Sequence, residues 1–238
     1  MQTNFMKRAA FGTAALLLAG VVQAAGVPGQ GTWETTLKAR DLNRDGVPDA
    51  FYDTTLDVTW LRDGNVNGFM TWDSAVSWAD KFKIGGYSDW RLPTMIDTGM
   101  PGCDWSNGGT DCGYNPQTKA GTTIYSELAH LYYVTLGNKA YYDAAGKFQP
   151  DYGPNNSGDF QNVAAWAYWT GMEYGPDHNQ AWRSFTWAGH QDSGYKSYGL
   201  LAFAVRPGDV TAVPEPQAVA MMLLGLGVVL VAVRRRPR

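Results

Sequence analysis

The stretch Gly86-Tyr87-Ser88-Asp89-Trp90-Arg91-Leu92-Pro93-Thr94 constrains this chain more than any other. Gly85-Gly86 stops a helix, and Pro93 prevents another from starting at once. Between them Trp90 and Leu92 alternate with Asp89 and Arg91, and residues two apart share one face of an extended chain. The segment therefore predicts a corner where a helix hands over to a buried strand, with Trp90 and Leu92 turned into a core. Asp89, Trp90, Arg91 and Pro93 form the structural corner. Asp89 and Arg91 are close enough to brace the turn, and such a pair beside a Trp reads as a brace rather than as an acid/base couple.

The helix before this corner is predicted over Trp72–Phe82, N-capped by Thr71, with Trp72, Ala75, Val76, Ala79 and Phe82 on the inner face. A second helix is predicted over Ser126–Leu136, with Ser126 as cap, Glu127 in the first turn and Gly137-Asn138 as the stop. Leu128, Leu131, Tyr132 and Leu136 supply its buried face, and His130 lies beside that face. Strands are predicted over Trp33–Leu42, Phe51–Leu61, Ala165–Met172, Gln180–Ala188 and Leu200–Arg206. Alternation such as Trp166/Tyr168/Thr170 against Ala165/Ala167/Trp169 suits an antiparallel sheet. Met95–Thr123 and Tyr141–Asn162 are rich in Gly, Pro and Asn and read as excursions or surface loops. The class is α+β.

Both ends of the 238-residue chain read as sorting segments. Residues 1–24 have a basic start (Lys7, Arg8), an apolar run from Ala9 to Val22 and a Val22-Gln23-Ala24 cleavage triplet, the layout of a signal peptide. Residues 25–31 form a Pro/Gly linker and residues 32–209 the body. Residues 210–216 form a second linker, and residues 217–238 read as a transmembrane tail. Its run Ala218–Val233 is uncharged but short of the ~20 residues of a full span, and Arg234, Arg235 and Arg236 follow it as a retention signal.

The segment Ala25–Val213 carries 13 Lys and Arg against 21 Asp and Glu. An acidic body is unsuited to nucleic acid, whose phosphates need clustered cations. All ten Trp lie in it; most suit core and sheet packing, and some suit a sugar-stacking surface. Cys103 and Cys112, close together in an exported chain, read as a disulfide closing a turn-rich loop. Asp41, Asn43, Asp45 and Asp49 occupy positions 1, 3, 5 and 9 of a calcium-type loop with Gly46 at position 6, but position 12 is Tyr52. The pattern admits calcium, but an acidic turn carrying no ion explains the same residues.

No nucleophile elbow, His-Glu-x-x-His, P-loop or dinucleotide loop is present in the sequence. His130, His178 and His190 are scattered, although His178 and His190 flank one predicted strand and could meet at a sheet edge. The expectation is a protein that is not an enzyme. Loop carboxylates at glycosidase spacing would be needed to make it one.

The tail Val213-Pro214-Glu215-Pro216, followed by the apolar run and the arginines, resembles a PEP-CTERM sorting signal. The resemblance implies an exosortase partner that recognises Pro214, Glu215 and Pro216. It also implies transient passage through the inner membrane and delivery to the cell surface or polysaccharide matrix of a Gram-negative bacterium. The body resembles the Lcl-type C-terminal domain, marked by a Gly-x-x-Asp-Trp-Arg-Leu-Pro-Thr corner. Tyr52-Asp53-Thr54, Val58-Thr59-Trp60, Thr71-Trp72, Gly86–Thr94, Tyr168-Trp169-Thr170 and Ala204-Val205-Arg206-Pro207 follow its order. That resemblance implies a C-type-lectin-like fold, two helices beside a twisted antiparallel sheet with the first and last strands adjacent. The Glu-Pro-Asn and Trp-Asn-Asp motifs of calcium-dependent sugar binding are absent.

The expected function is that of a non-catalytic binding domain for extracellular polysaccharide or a surface protein. A hydrolase acting on exopolysaccharide and a purely structural matrix protein are the alternatives. Met172–His178, His190–Tyr198 and the 95–123 excursion are the expected binding loops, with Trp105, Tyr114, Tyr174 and Tyr195 as exposed stacking residues.

Overall fold

Asp53 breaks what reads as one strand into two. Its Oδ1 accepts from the Thr55 and Leu56 N–H groups, and Asp57 closes the turn with φ 55°. Phe51–Leu61 is therefore a hairpin of β2 (Ala50–Asp53) and β3 (Val58–Leu61). An apolar run gives no sign of a turn that a buried side chain builds by capping backbone donors. The computed structural model describes residues 27–98, 103 and 105–210. The signal peptide, the Pro-Glu-Pro motif, the apolar tail and Arg234–Arg236 lie outside the described residues.

The predicted first strand, Trp33–Leu42, opens instead as a helical turn, α1 (Trp33–Thr36), before β1 (Leu37–Arg40). Thr35 and Thr36 bond back to the Thr32 carbonyl, which favours the turn over extension. β1, β2 and β3 form an antiparallel meander, and β10 (Val205–Pro207) adds to β3, giving the order β1-β2-β3-β10. A second antiparallel sheet is built from β4 (Gly113–Tyr114), β7 (Ala167–Glu173), β8 (Gln180–Phe185) and β9 (His190–Tyr195) in the order β4-β9-β8-β7. A small hairpin joins β5 (Lys119–Ala120) to β6 (Thr123–Ile124). The described residues are thus α+β with sheet predominating.

α2 (Trp72–Lys81) is capped by Thr71, whose hydroxyl accepts from Ser74 N–H, as the pattern predicts. Its buried face is narrower than expected. Ala75 and Ala79 pack with Met70, Leu92 and Trp169, while Val76 is exposed and Trp78 takes the inward place. Small residues let this helix lie close to β7. Ser126 caps the second helix through Ala129 N–H, but only α3 (Glu127–His130) is α-helical. Leu131–Thr135 widens to a π-turn, with Leu136 N–H donating to the Leu131 carbonyl. The main core lies between the first sheet and this helix, around Phe51, Trp60, Trp90, Leu131 and Phe203.

The corner is present, with different ion pairs from those expected. Arg91 reaches past Asp89 to Glu127, donating from Nη1 and Nη2 to the two carboxylate oxygens at 2.7 and 2.8 Å. Glu127 also accepts from Thr94 N–H at 2.7 Å. Asp89 instead accepts from Arg206 Nη2 at 2.8 Å. Neighbours two apart on an extended chain share a face, yet a left-handed Asp89 (φ 64°) turns its carboxylate toward the closing strand. Arg91 thus becomes a strut between the corner and α3.

Two further readings change. His190–Tyr198 is mostly not a loop, since His190–Tyr195 is β9, one of the second sheet's two inner strands, between β4 and β8. Leu200–Ala204 crosses the core through single bridges, Met70–Leu200 and Tyr168–Leu201, and only its end is strand. The C-terminal linker also starts later than expected, because Val210 is 2% exposed and belongs to the main core.

Candidate functional site

The turn from β8 to β9, Thr186-Trp187-Ala188-Gly189, meets the disulfide loop and β4 in a cluster of aromatic rings. Gly189 is required there. Its φ is +64°, and a Cβ would lie 2.5 Å from the Tyr133 hydroxyl and 2.8 Å from Ala140 Cα. Tyr133, from the π-turn, donates that hydroxyl to the Gly189 carbonyl, and burial raises its pKa. The wider turn of the second helix therefore pins the hairpin that carries the site.

His190 opens β9 opposite Phe185 and stacks on it, centroids 4.2 Å apart at 12°. Trp105 and Tyr114 lean on the same imidazole at 5.4 and 5.5 Å, and Trp187 meets it edge-on at 5.8 Å. His190 is 6% exposed, and its Nδ1 has no hydrogen-bond partner among the described residues. Burial, reinforced by the Arg183 charge, lowers its pKa to about 4. The ring is neutral at ordinary pH and acts as an aromatic plate. Trp105 and Trp187 remain 50% and 42% exposed.

The cluster continues outward. Tyr114 packs edge-on to Tyr142 at 5.2 Å, and Tyr141 touches Tyr142, Phe148 and Tyr152 at 4.7 to 4.9 Å. Along β8, Arg183 lies over the Phe185 ring at 4.9 Å and near Tyr198 at 5.7 Å, while pairing with Asp192 at 2.6 Å. Gly194 leaves the space that the guanidinium fills. Asp192 is buried, and desolvation raises its pKa against the opposing pull of Arg183. Trp105, Trp187 and Phe148 are exposed in this cluster and Tyr114, Tyr141, Tyr142 and Tyr152 are half-buried, an arrangement suited to stacking on flat apolar faces of a ligand.

The disulfide loop holds one wall. Cys103 and Cys112 are bonded, with Cα atoms 5.4 Å apart. Asn115 Nδ2 donates to the Asn107 and Tyr142 carbonyls, and Tyr114 N–H donates to the Ser106 carbonyl. Gln191, fully buried beside His190, donates to the Asp111 carbonyl and accepts from the Ser126 hydroxyl. One side chain thereby fixes the loop to the helix cap.

Among the expected stacking residues, Trp105 and Tyr114 come together here. Tyr195 is exposed but lies at the far end of β9, against Tyr198. Tyr174 is a correction: it is 6% exposed and packs on Trp182 at 5.3 Å in a small core with Met95 and Cys112. His178 and His190 do not meet, because β8 separates them end to end and His178 pairs with Glu173. Phe185 and Trp187 join the site without being expected there, and His190 takes part as a stacked ring. Their only sequence signal is two aromatics in alternation before a Gly-His turn.

In the acidic loop, Asp41 accepts from the Arg44, Asp45 and Gly46 N–H groups, and Asp49 accepts from those of Leu42 and Asn43. Asn43 Nδ2 lies between Asp45 and Asp49 at 3.1 and 3.4 Å. No three His, Cys, Asp or Glu side chains among the described residues converge closely enough to hold a metal ion. Likewise, no described helix is long and apolar enough to cross a membrane.

Residues 212–236 match the family model of the PEP-CTERM protein-sorting motif. This match marks the chain as an exported protein sorted by an exosortase to the cell surface or beyond it. No curated protein and no solved structure matches the chain.

Proposed function

We propose that the body is a non-catalytic binding domain that attaches this exported protein to extracellular polysaccharide through the ring surface around His190. The observation that carries the reading is the pair of half-exposed indoles, Trp105 and Trp187, set on one buried neutral imidazole. Indole faces stack on the apolar faces of sugar rings, and a rigid underlayer reduces the ordering cost of binding. A body with 13 Lys and Arg against 21 Asp and Glu suits a neutral polymer better than an anionic one. A C-type-lectin-like arrangement is part of the proposal, supported by two capped helices beside the strands; the first and last strands share one sheet but lie at its opposite edges and are not adjacent as expected. In this proposal the Asp41–Asp49 loop works as an ion-free turn, its carboxylates already engaged by backbone donors.

The test is co-sedimentation of the mature exported protein with its host's insoluble extracellular polysaccharide. Trp105→Ala and Trp187→Ala should each weaken retention roughly tenfold, about 1.4 kcal/mol, with the fold intact by circular dichroism. Unchanged retention of the double variant would sink this reading and favour a structural matrix protein.

A further inference from the structure

The last described residues travel a fixed route. After β10, the Gly208 N–H donates to the Asp57 carbonyl, and the Gly208 carbonyl accepts from the Thr59 hydroxyl at 2.7 Å. Asp209 then accepts two hydrogen bonds from Arg40 on β1, at 2.7 and 2.8 Å. These bonds tie the chain first to the β2–β3 hairpin and then, through the Arg40 side chain, to β1. Val210 ends this path buried, beneath a groove of about 230 Å³ lined by Asp41, Leu42, Arg44 and the Gly85–Tyr87 turn. The groove is rigidly built, since Gly85 sits so close to the Leu42 carbonyl that no Cβ would fit.

Glu215, the centre of the sorting motif, is only five residues beyond Val210. A fully extended chain covers at most about 3.6 Å per residue, so Glu215 stays within about 18 Å of the groove. That distance is shorter than the width of a small domain. An enzyme that grips Pro214-Glu215-Pro216 therefore works within about 18 Å of this side of the body. The rim formed by the acidic loop carries Asp41, Asp45 and Asp49 against the single cation Arg44.

From these observations we infer that the groove between the Asp41–Asp49 loop and the Gly85–Tyr87 turn is the docking face for the sorting exosortase, met by a basic surface of that enzyme. The inference rests on the sorting reading of the tail. The body takes part in sorting by presenting the motif in one orientation, with the carboxylates steering the encounter.

Site-specific photo-crosslinking tests this in the full-length chain, in host cells carrying a tagged exosortase. A photoreactive residue at Val47 or Lys83, both exposed beside the groove, should give adducts with the tagged enzyme. The yield should be severalfold above that from Tyr195 or Phe148, which are exposed on other parts of the body. Unfolding profiles matching the parent's establish that each probe-bearing chain is folded. Equal yields from both sets, or none from Val47 and Lys83 while cleavage proceeds, would overturn the docking face and leave sorting intact. A Glu215→Ala control separates the two ideas: if it is still cleaved at the parent's rate, the sorting reading itself fails.

Discussion

Two inner strands, β3 of the first sheet and β9 of the second, are buried by different routes. In the first sheet, Ala50, Phe51, Val58, Trp60, Leu61 and Val205 are nearly all apolar surface withdrawn from water. In the second, the inner strand β9 begins His190-Gln191-Asp192, three polar residues, all buried. Each has its own compensation: His190 is neutral between rings, Gln191 is bonded at both ends, and Asp192 is paired with Arg183. A strand of the first kind is specified by its own side chains. A strand of the second kind exists only because the excursion, the helix cap and β8 are in place around it. The proposed binding surface rests on the second kind.

The largest effect expected is at the strut between the two halves. Arg91→Ala leaves the Glu127 carboxylate buried beside the helix cap without its cation and should cost about 3–5 kcal/mol, read by chemical denaturation. A loss below about 1 kcal/mol would mean that the corner and α3 are held by packing alone.

Next is the pH response of the second sheet. The folded-state pKa of His190 lies at about 4, below the ordinary value of 6.5, so the unfolded chain binds its proton first as pH falls. The stability due to the neutral ring is therefore full above about pH 6.5 and is lost as pH drops toward 4, a change of about 3 kcal/mol at most. Burial also lowers the His130 pKa and adds in the same direction, while the raised pKa values of Asp53 and Asp192 act oppositely at the acid end. His190→Phe isolates the effect, because the difference in Tm between pH 7 and pH 5 should shrink in that variant. An unaltered difference would show that His190 does not drive it.

A direct contrast follows from matched substitutions. Gln191→Leu removes the acceptor of the Ser126 O–H and the Gln191 donor to the Asp111 carbonyl and should cost about 2–4 kcal/mol. Phe51→Leu, apolar for apolar in the first sheet, should cost less than about 1.5 kcal/mol. The comparison breaks if their order is reversed in urea titrations. The smallest effect is expected at the acidic loop: with its carboxylates engaged internally, a chelator should leave Tm unchanged. A clear fall in Tm would restore calcium to Asp41, Asn43, Asp45 and Asp49.

Much of the frame was legible in the residues. Thr71 and Ser126 announced both helix starts because capping is local chemistry, and Trp90 and Leu92 announced a buried corner because alternation is local geometry. The partners of Asp89 and Arg91 were not legible, since Arg206 and Glu127 are distant in sequence and only the fold brings them close. β9 reads as a loop because Gly, Ser and Asp carry no strand preference, and its ladder to β8 supplies what its side chains lack. The candidate site was half legible: Trp105 and Tyr114 stood out as aromatics on a loop, whereas His190 gained its meaning from ring contacts.

By itself the sequence determined that the chain carries a sorting motif, where the two capped helices start, and that two cysteines close a loop on an acidic body. Those properties depend on composition or on neighbours a few residues apart. Only the tertiary structure decided which rings face solvent together, which acid meets which base, and where the chain leaves the body for its sorting motif. These depend on contacts between residues far apart in the chain, whose free energy is realised only when the whole core has formed.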